Sequence, residues 1–141
     1  EVVRACGDAV GYHRLGIRLS PGAYLNEIKG DNRDCGVFTL LLSELNKLSL
    51  AYVHTGNFDD RVLFKELDHK SMTQFIRHHY RGNLIACGGY DINDAENNII
   101  DNQFDLIAIG RRFIANPDLI NKIKNNEPLD SYNSSMLNTL R

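Results

Sequence analysis

Two glycine-terminated apolar runs in the second half of the chain contain the residues best suited to chemistry. Gly88 and Gly89 follow the run LIAC, and Gly110 and Arg111 follow the run LIAI. Glycine lets a ligand approach the backbone closely, and consecutive N–H groups at a strand end can bind an anion. Arg111 adds a cation to the second turn. Two such strand ends in succession predict a phosphate site formed by Gly88, Gly89, Gly110 and Arg111.

Arg18 is the other candidate site residue, and it lies near the end of a predicted strand within GIRLSP, residues 16–21. A guanidinium in a strand that is otherwise apolar needs a partner, because an unpaired buried charge is costly. One interpretation is a salt bridge across the sheet, and the other is a fixed cation directed into a site at the strand's carboxyl end. Tyr24, His54 and Tyr90 are candidates for lining a pocket, and for His54 a structural role fits at least as well as a catalytic one.

No metal site is predicted. His78 and His79 are adjacent, so on a helix their side chains point about 100° apart and cannot both face one ion. The three cysteines are far apart and contain no CxxC pair, which favours reduced thiols in a cytoplasmic protein. We therefore assign no metal-binding residues, and no catalytic residue is assigned either.

Composition and charge narrow the class of protein. The 141 residues suit one domain, and the 43% hydrophobic and 24% charged residues are typical of a globular protein. The formal net charge of -2 gives no basic surface for nucleic acid or an anionic membrane. No apolar run approaches the roughly 20 residues that span a bilayer. We expect a cytoplasmic protein that binds neither nucleic acid nor membrane.

Short apolar runs alternate with helical patterns along the chain. The runs lack strict polar alternation, which is typical of parallel strands covered on both faces, and they are Leu15–Leu19, Leu50–Val53, Leu84–Cys87 and Leu106–Ile109. Apolar residues at helical spacing predict helices over Cys35–Leu48, Met72–Tyr80 and Ile92–Asn102. Asp91 is a predicted N-cap, and Asn116-Pro117 predicts the start of a last helix whose buried face is Leu119, Ile120 and Ile123.

This order predicts an α/β fold with four βα units and a parallel sheet. An open doubly wound sheet and half of a (β/α)₈ barrel both remain possible, and strand starts about 35, 34 and 22 residues apart fit the barrel's average of roughly 30. A helix that ends at Gly11 with no strand before it suggests a piece of a longer chain. We expect the barrel portion to span residues 1–129 and a surface tail to span residues 130–141.

Four segments together resemble the second half of the Old Yellow Enzyme family. These segments are GIRLSP (16–21), LAYVH (50–54), LIACGGYD (84–91) and DLIAIGRRFIANPDL (105–119). Members of this family are FMN-dependent ene-reductases built on a (β/α)₈ barrel, and the resemblance implies that the four strands here are the fifth to eighth. It implies FMN as cofactor, NAD(P)H as reductant and a small enone-like substrate with an activated C=C bond.

The resemblance also assigns roles to the candidate residues. Arg18 matches the arginine near flavin N1 and O2, where a cation stabilises the negative charge of the reduced flavin. Gly88 and Gly89 match the glycines of the seventh strand that hold the FMN phosphate, and Gly110 and Arg111 match the eighth-strand pair. The chain departs from the family after the sixth strand, where HTGN replaces the usual His-Val-x-Glu-Pro.

Two functional hypotheses follow. In the first, the chain is the carboxyl-terminal portion of an FMN-dependent NAD(P)H oxidoreductase, and it supplies the phosphate site and Arg18. The groups that orient and protonate the substrate belong to the first half of the family's barrel. This chain lacks that half, and we expect it as a partner half-barrel. In the alternative, the chain is an inactive half-barrel that binds FMN weakly or serves as an assembly module, for example as a homodimer. A sugar-phosphate enzyme is less compatible with GIRLSP.

Overall fold

The computed structural model describes residues 1–23 and 28–139, and the chain divides into two compact units, Glu1–Ile107 and Ala108–Arg141. The described elements of the first unit are α1 (Val2–Val10), a 3₁₀ helix (Tyr12–Arg14), β1 (Gly16–Leu19), α2 (Asp34–Leu45), β2 (Tyr52–Thr55), a 3₁₀ helix (Lys65–Leu67), α3 (Met72–His79), β3 (Leu84–Ala86), α4 (Ile92–Ile100) and β4 (Leu106–Ile107). Those of the second unit are α5 (Arg111–Ala115), α6 (Leu119–Lys124) and a 3₁₀ helix (Ser134–Thr139).

The four strands form one parallel sheet in the order β1-β2-β3-β4. Each strand pairs with the next one along the chain, and α2, α3 and α4 lie in the three connections. A doubly wound sheet changes direction at a switch point, whereas a (β/α)₈ barrel adds its strands in chain order. Of the two predicted architectures, the strand order therefore supports four units of a barrel.

One face of the sheet forms the core together with the helices. Side chains alternate between the two faces of a strand, and the register aligns Ile17 with Val53 and Arg18 with His54. Thr55 is fully buried on the same face as Val53. The apolar core joins this face to α2 and α3, and its most buried members are Val53, Leu84, Ala86, Leu42, Leu45, Phe75, Ile76, Tyr80 and Phe104.

The opposite face of the sheet remains open. Arg18 is exposed there, and the side chains of Tyr52 and Leu106 are 39% and 56% exposed. The expectation of strands covered on both faces is therefore wrong for this face of the described chain. A short apolar run indicates a strand, but it does not show which elements pack on each side of that strand.

The predicted helices of the first unit are confirmed to within a few residues, and their caps explain their ends. Ser71 caps α3 in a capping box with Gln74, in which each side chain bonds the other's backbone N–H. Asp91 caps α4 as predicted, because its carboxylate accepts from the backbone N–H of Asp94 at 2.8 Å. α1 ends at Gly11, which adopts φ 90°.

The predicted last helix is observed as α6, but its N-cap residue is Asp118 rather than Asn116. Asn116 is instead the C-cap residue of α5, a short helix that the sequence did not predict, and α6 begins at Leu119. Leu119 is buried as expected, but Ile120 is half exposed. An asparagine followed by proline fits a helix end as well as a helix start, so the pattern alone does not distinguish them.

Asn116 is fully buried, and its side chain connects two segments of the second unit. Its amide nitrogen donates to the carbonyl oxygens of Arg112 and Asp130, each at 3.0 Å. Its amide oxygen accepts from the backbone N–H of Asp130 at 2.9 Å and from Lys122 Nζ at 3.0 Å. These bonds fix the beginning of the predicted tail, residues 130–141, against the end of α5.

Two general features concern the described residues alone. None of their helices has the length and apolar character needed to cross a membrane. Within residues 1–23 and 28–139 there is also no group of three or more His, Cys, Asp or Glu side chains arranged to hold a metal ion. The three cysteines, Cys6, Cys35 and Cys87, are free thiols.

Candidate functional site

Arg18 lies at the carboxyl end of β1, on the open face of the sheet. Its side chain is exposed rather than buried, and its Nε lies 3.0 Å from the position that a Cβ on Gly56 would occupy. In the part of the chain that the structure describes, Arg18 makes no ion pair and no hydrogen bond. The expected burial is wrong, and the salt bridge across the sheet is not observed among these residues. Of the two interpretations of Arg18, the one that remains is a cation directed toward the open face of the sheet.

His54 is the neighbour of Arg18 on β2, since the two residues are aligned in the sheet. Its Nε2 atom is buried and has no hydrogen-bond partner among the described residues. Burial and the positive charge of Arg18 both lower the pKa of His54 below its ordinary value of 6.5. The ring is therefore neutral at pH 7, and its Nε2 has an unused capacity for one hydrogen bond.

The turn after β3 contains the predicted glycines Gly88 and Gly89. Their φ angles are 155° and 76°, which glycine adopts more readily than other residues. Gly88 is buried and Gly89 is exposed. Neither backbone N–H donates a hydrogen bond within the described residues. Two consecutive N–H groups without acceptors, in a turn that includes an exposed glycine, are suited to binding an anion.

Asp60 packs directly against this turn, and the sequence analysis missed it. The backbone N–H of Asp60 donates to the carbonyl oxygen of Gly88 at 2.9 Å. A Cβ on Gly88 would lie 2.6 Å from Asp60 Cβ and 2.7 Å from its backbone nitrogen. Gly88 is thus required by the protein's own packing, independently of any ligand. Asp60 lies within the polar loop GNFDDR after β2, but no local pattern indicates that its partner is 28 residues away.

Tyr90, a predicted pocket residue, uses its hydroxyl within the protein. The hydroxyl donates to Asp60 Oδ2, and the ring lies edge-on to Phe104 with centroids 5.1 Å apart. Burial and the nearby carboxylate of Asp60 raise the pKa of Tyr90 well above its ordinary range. Tyr90 therefore stays protonated, and its contacts with Asp60 and Phe104 support the turn.

Thr55 connects the ends of β2 and β3. Its hydroxyl accepts from the backbone N–H of Cys87 at 2.8 Å and lies 3.3 Å from the carbonyl oxygen of Cys87. The Cys87 thiol lies 3.4 Å from the carbonyl oxygen of Asn57. The strand ends that carry His54 and Gly88 are thereby held together at the same edge of the sheet.

Gly110 and Arg111 belong to the second unit. Gly110 is the N-cap residue of α5, and Arg111 is the first residue of that helix. Gly110 is exposed, its φ of -100° is accessible to other residues, and a Cβ there would meet no heavy atom of the described chain within 4 Å. The protein's own described packing therefore does not require glycine at position 110. Tyr24, the remaining predicted pocket residue, lies outside the described residues.

The described residues of the first unit fit the FMN that the resemblance implies. A phosphate needs N–H donors, and those of Gly88 and Gly89 are available. The pyrimidine edge of a flavin gains negative charge on reduction, and Arg18 offers a cation with no ion pair to a described residue. His54 Nε2 adds a buried polar atom that lacks a partner.

Comparison with known proteins identifies the family. The sequence profile of the NADH:flavin oxidoreductase / NADH oxidase family matches residues 1–130. A 12-oxophytodienoate reductase-like protein of Solanum lycopersicum is 37% identical over 139 residues, covering 99% of this chain and 36% of the relative. The 12-oxophytodienoate reductase 2 of Arabidopsis thaliana is 32% identical over 139 residues, covering 99% of this chain and 37% of the relative. The chain thus spans little more than a third of these relatives' length.

Solved structures agree with this result. A morphinone reductase in complex with tetrahydroNAD superimposes with a TM-score of 0.77 at 33% identity, covering 96% of this chain and 35% of that one. The Old Yellow Enzyme of Trypanosoma cruzi superimposes with a TM-score of 0.78 at 31% identity, covering 96% and 34%. The predicted (β/α)₈ barrel class and the predicted cofactors, FMN with NAD(P)H as reductant, are confirmed at the level of the family. The chain belongs to the NADH:flavin oxidoreductase / NADH oxidase family, the Old Yellow Enzyme family, and its sheet corresponds to half of that family's barrel.

Proposed function

We propose that this chain is the part of a cytoplasmic, FMN-dependent NAD(P)H oxidoreductase that holds the flavin phosphate and places a cation beside the flavin's pyrimidine edge. The observation that carries the proposal is the Gly88–Gly89 turn, whose two N–H groups lack described acceptors in a chain of a flavin-binding family. The substrate class is a small enone-like molecule with an activated C=C bond.

The binding roles follow the family resemblance residue by residue. Gly88 and Gly89 donate backbone N–H groups to the phosphate, and Gly110 and Arg111 contribute a close backbone approach and a cation. Arg18 stabilises negative charge on the flavin. FMN, when bound, supplies the redox chemistry of the reaction. The residues of this chain bind and orient that cofactor, and we assign none of them to substrate protonation.

The phosphate assignment is tested at Gly110, where the protein leaves room for a side chain. Gly110→Val places a Cβ where no heavy atom of the described chain lies within 4 Å, so we attribute a loss of binding to exclusion of the ligand. Gly36→Val is the matched control, because a Cβ at Gly36 also meets nothing within 4 Å. We expect Gly110→Val to weaken FMN binding at least tenfold by fluorescence titration, with riboflavin binding unchanged. Equal FMN affinity in the two variants would contradict the assignment.

The open face of the sheet supports a second candidate function, an assembly module without turnover. Arg18, Tyr52 and Leu106 are exposed on a face that a complete barrel encloses. A second copy of the chain, or a separate first half-barrel, would cover this face. Size-exclusion chromatography with and without FMN distinguishes the candidates. A dimer that forms without FMN and does not retain it supports the assembly module, whereas FMN retention supports the flavin-binding portion.

A further inference from the structure

We propose that Asp60 is the positioning residue that holds the Gly88–Gly89 turn in the conformation that binds the FMN phosphate. The inference rests on the proposed phosphate site and adds to it a residue outside the four segments on which the family resemblance was based. All of the contacts involved lie within the first unit.

Asp60 contacts the backbone of the turn at Gly88. Asp60 N–H donates to the carbonyl oxygen of Gly88, and the two residues approach so closely that a Cβ on Gly88 would lie 2.6–2.7 Å from Asp60 atoms. This contact fixes the peptide between Gly88 and Gly89 by its carbonyl group. The N–H of Gly89, which belongs to the same peptide, is oriented as a consequence.

Asp60 also contacts the residue that follows the two glycines. Tyr90 follows Gly89 directly in the chain, and its hydroxyl donates to Asp60 Oδ2. Asp60 therefore holds the residue pair from both ends, through the Gly88 carbonyl and the Tyr90 hydroxyl. Glycine has wide φ/ψ freedom, so two glycines without such contacts would sample several conformations. A turn fixed before the ligand arrives binds more tightly, because less conformational entropy is lost.

The hydrogen-bond donors around the Asp60 carboxylate weaken its repulsion of an anion bound at the turn. All four described partners of the carboxylate donate to it. Oδ1 accepts from Asn57 Nδ2 at 2.9 Å and from the Thr73 N–H at 3.1 Å, and Oδ2 accepts from Ser71 Oγ at 3.0 Å and from Tyr90. The Thr73 N–H lies in the first turn of α3, where a negative charge is favourable. The carboxylate is thus satisfied by its own donors, and the N–H groups of the two glycines stay available.

The types of donor around the Asp60 carboxylate make Asp60→Asn an informative substitution. The amide of Asn57 and the backbone N–H of Thr73 can only donate, whereas the hydroxyls of Ser71 and Tyr90 can donate or accept. In Asp60→Asn, the amide oxygen can face the first pair and the amide nitrogen can face the hydroxyls. This variant keeps the hydrogen-bond geometry and removes the charge. Asp60→Ala removes both, and Asp59→Ala removes the neighbouring carboxylate, which pairs with Arg61.

The experiment follows the backbone N–H signals of Gly88 and Gly89 by NMR in the 141-residue chain, without ligand and during titrations with FMN and with riboflavin. We expect FMN, and not riboflavin, to shift both signals in the wild type, in Asp59→Ala and in Asp60→Asn. In Asp60→Ala we expect the ligand-free signals to move and the FMN affinity to fall at least tenfold, while riboflavin affinity changes less than twofold. The comparison with riboflavin separates loss of the phosphate site from general loss of structure.

The outcomes that contradict the inference differ from those that contradict the proposed function. If FMN leaves the Gly88 and Gly89 signals of the wild type unchanged, the proposed phosphate site is wrong. If FMN shifts them in the wild type and equally in Asp60→Ala, the phosphate site stands and the role of Asp60 is wrong. An Asp60→Asn variant as impaired as Asp60→Ala would also overturn the inference, because the hydrogen-bond geometry would then not be what Asp60 contributes.

Discussion

At the scale of single residues, Arg18 influences the protonation of His54, its neighbour on the open face of the sheet. The two side chains are aligned on neighbouring strands, and burial together with the Arg18 charge lowers the pKa of His54. A neutral imidazole beside an arginine leaves the guanidinium as the positive charge of this pair at neutral pH. That arrangement favours an anionic ligand group at Arg18, since His54 carries no charge that would attract the group to itself.

We expect Arg18→Met to raise the pKa of His54 toward its ordinary value of 6.5, because one of the two causes of the shift is removed while burial remains. Titration of the imidazole Cε1–H signal by NMR measures the change, and Arg14→Met serves as the control at an exposed arginine. The sign for stability follows from the lowered pKa. As the pH falls below about 6.5, the unfolded state binds the proton first, so this histidine's contribution to stability is lost toward lower pH. A His54 pKa equal in both variants would contradict the electrostatic coupling.

At the scale of elements, local patterns predicted the sheet and the helices, and long-range contacts determined what they missed. The apolar runs located all four described strands, and helical spacing located α2, α3 and α4. Asp60 was missed because its importance depends on Gly88 and Tyr90, which lie 28 and 30 residues further along the chain. The burial of Arg18 was wrong because one strand's sequence does not contain the neighbours that cover it.

Asn116 is the element-scale contact that we expect to hold the second unit together. Asn116→Ala leaves the backbone N–H and carbonyl of Asp130 and the Arg112 carbonyl without this side-chain partner, at a cost of about 1–2 kcal/mol. We expect the Asp130 amide to exchange with solvent roughly tenfold faster or more, as measured by hydrogen exchange with NMR. Asn121→Ala, at an exposed position of α6, is the control and should leave that exchange rate unchanged. Unaltered Asp130 exchange in Asn116→Ala would show that the buried amide does not connect the two segments.

At the scale of the whole molecule, the proposed flavin site includes no described residue that we assign as a proton donor. It spans 36% of the tomato relative, and its sheet corresponds to half of the family's barrel. Ene-reduction needs a group that orients the substrate carbonyl and a proton donor, each within about 3 Å of its target. Among the described candidates, Tyr90 donates to Asp60 and has a raised pKa, and His54 is neutral at pH 7.

We therefore expect the 141-residue chain, saturated with FMN, to reduce 2-cyclohexenone with NADPH no faster than free FMN does. The measurement is anaerobic stopped-flow recording of flavin reoxidation after the enone is added, and free FMN at the same concentration is the control. His54→Gln and Tyr90→Phe should likewise show only the free-FMN rate, since neither residue is available as an acid in the described structure. Enone-dependent reoxidation above that rate would contradict the prediction and make the open face a complete site. Its loss in one of the two variants would then identify the residue responsible.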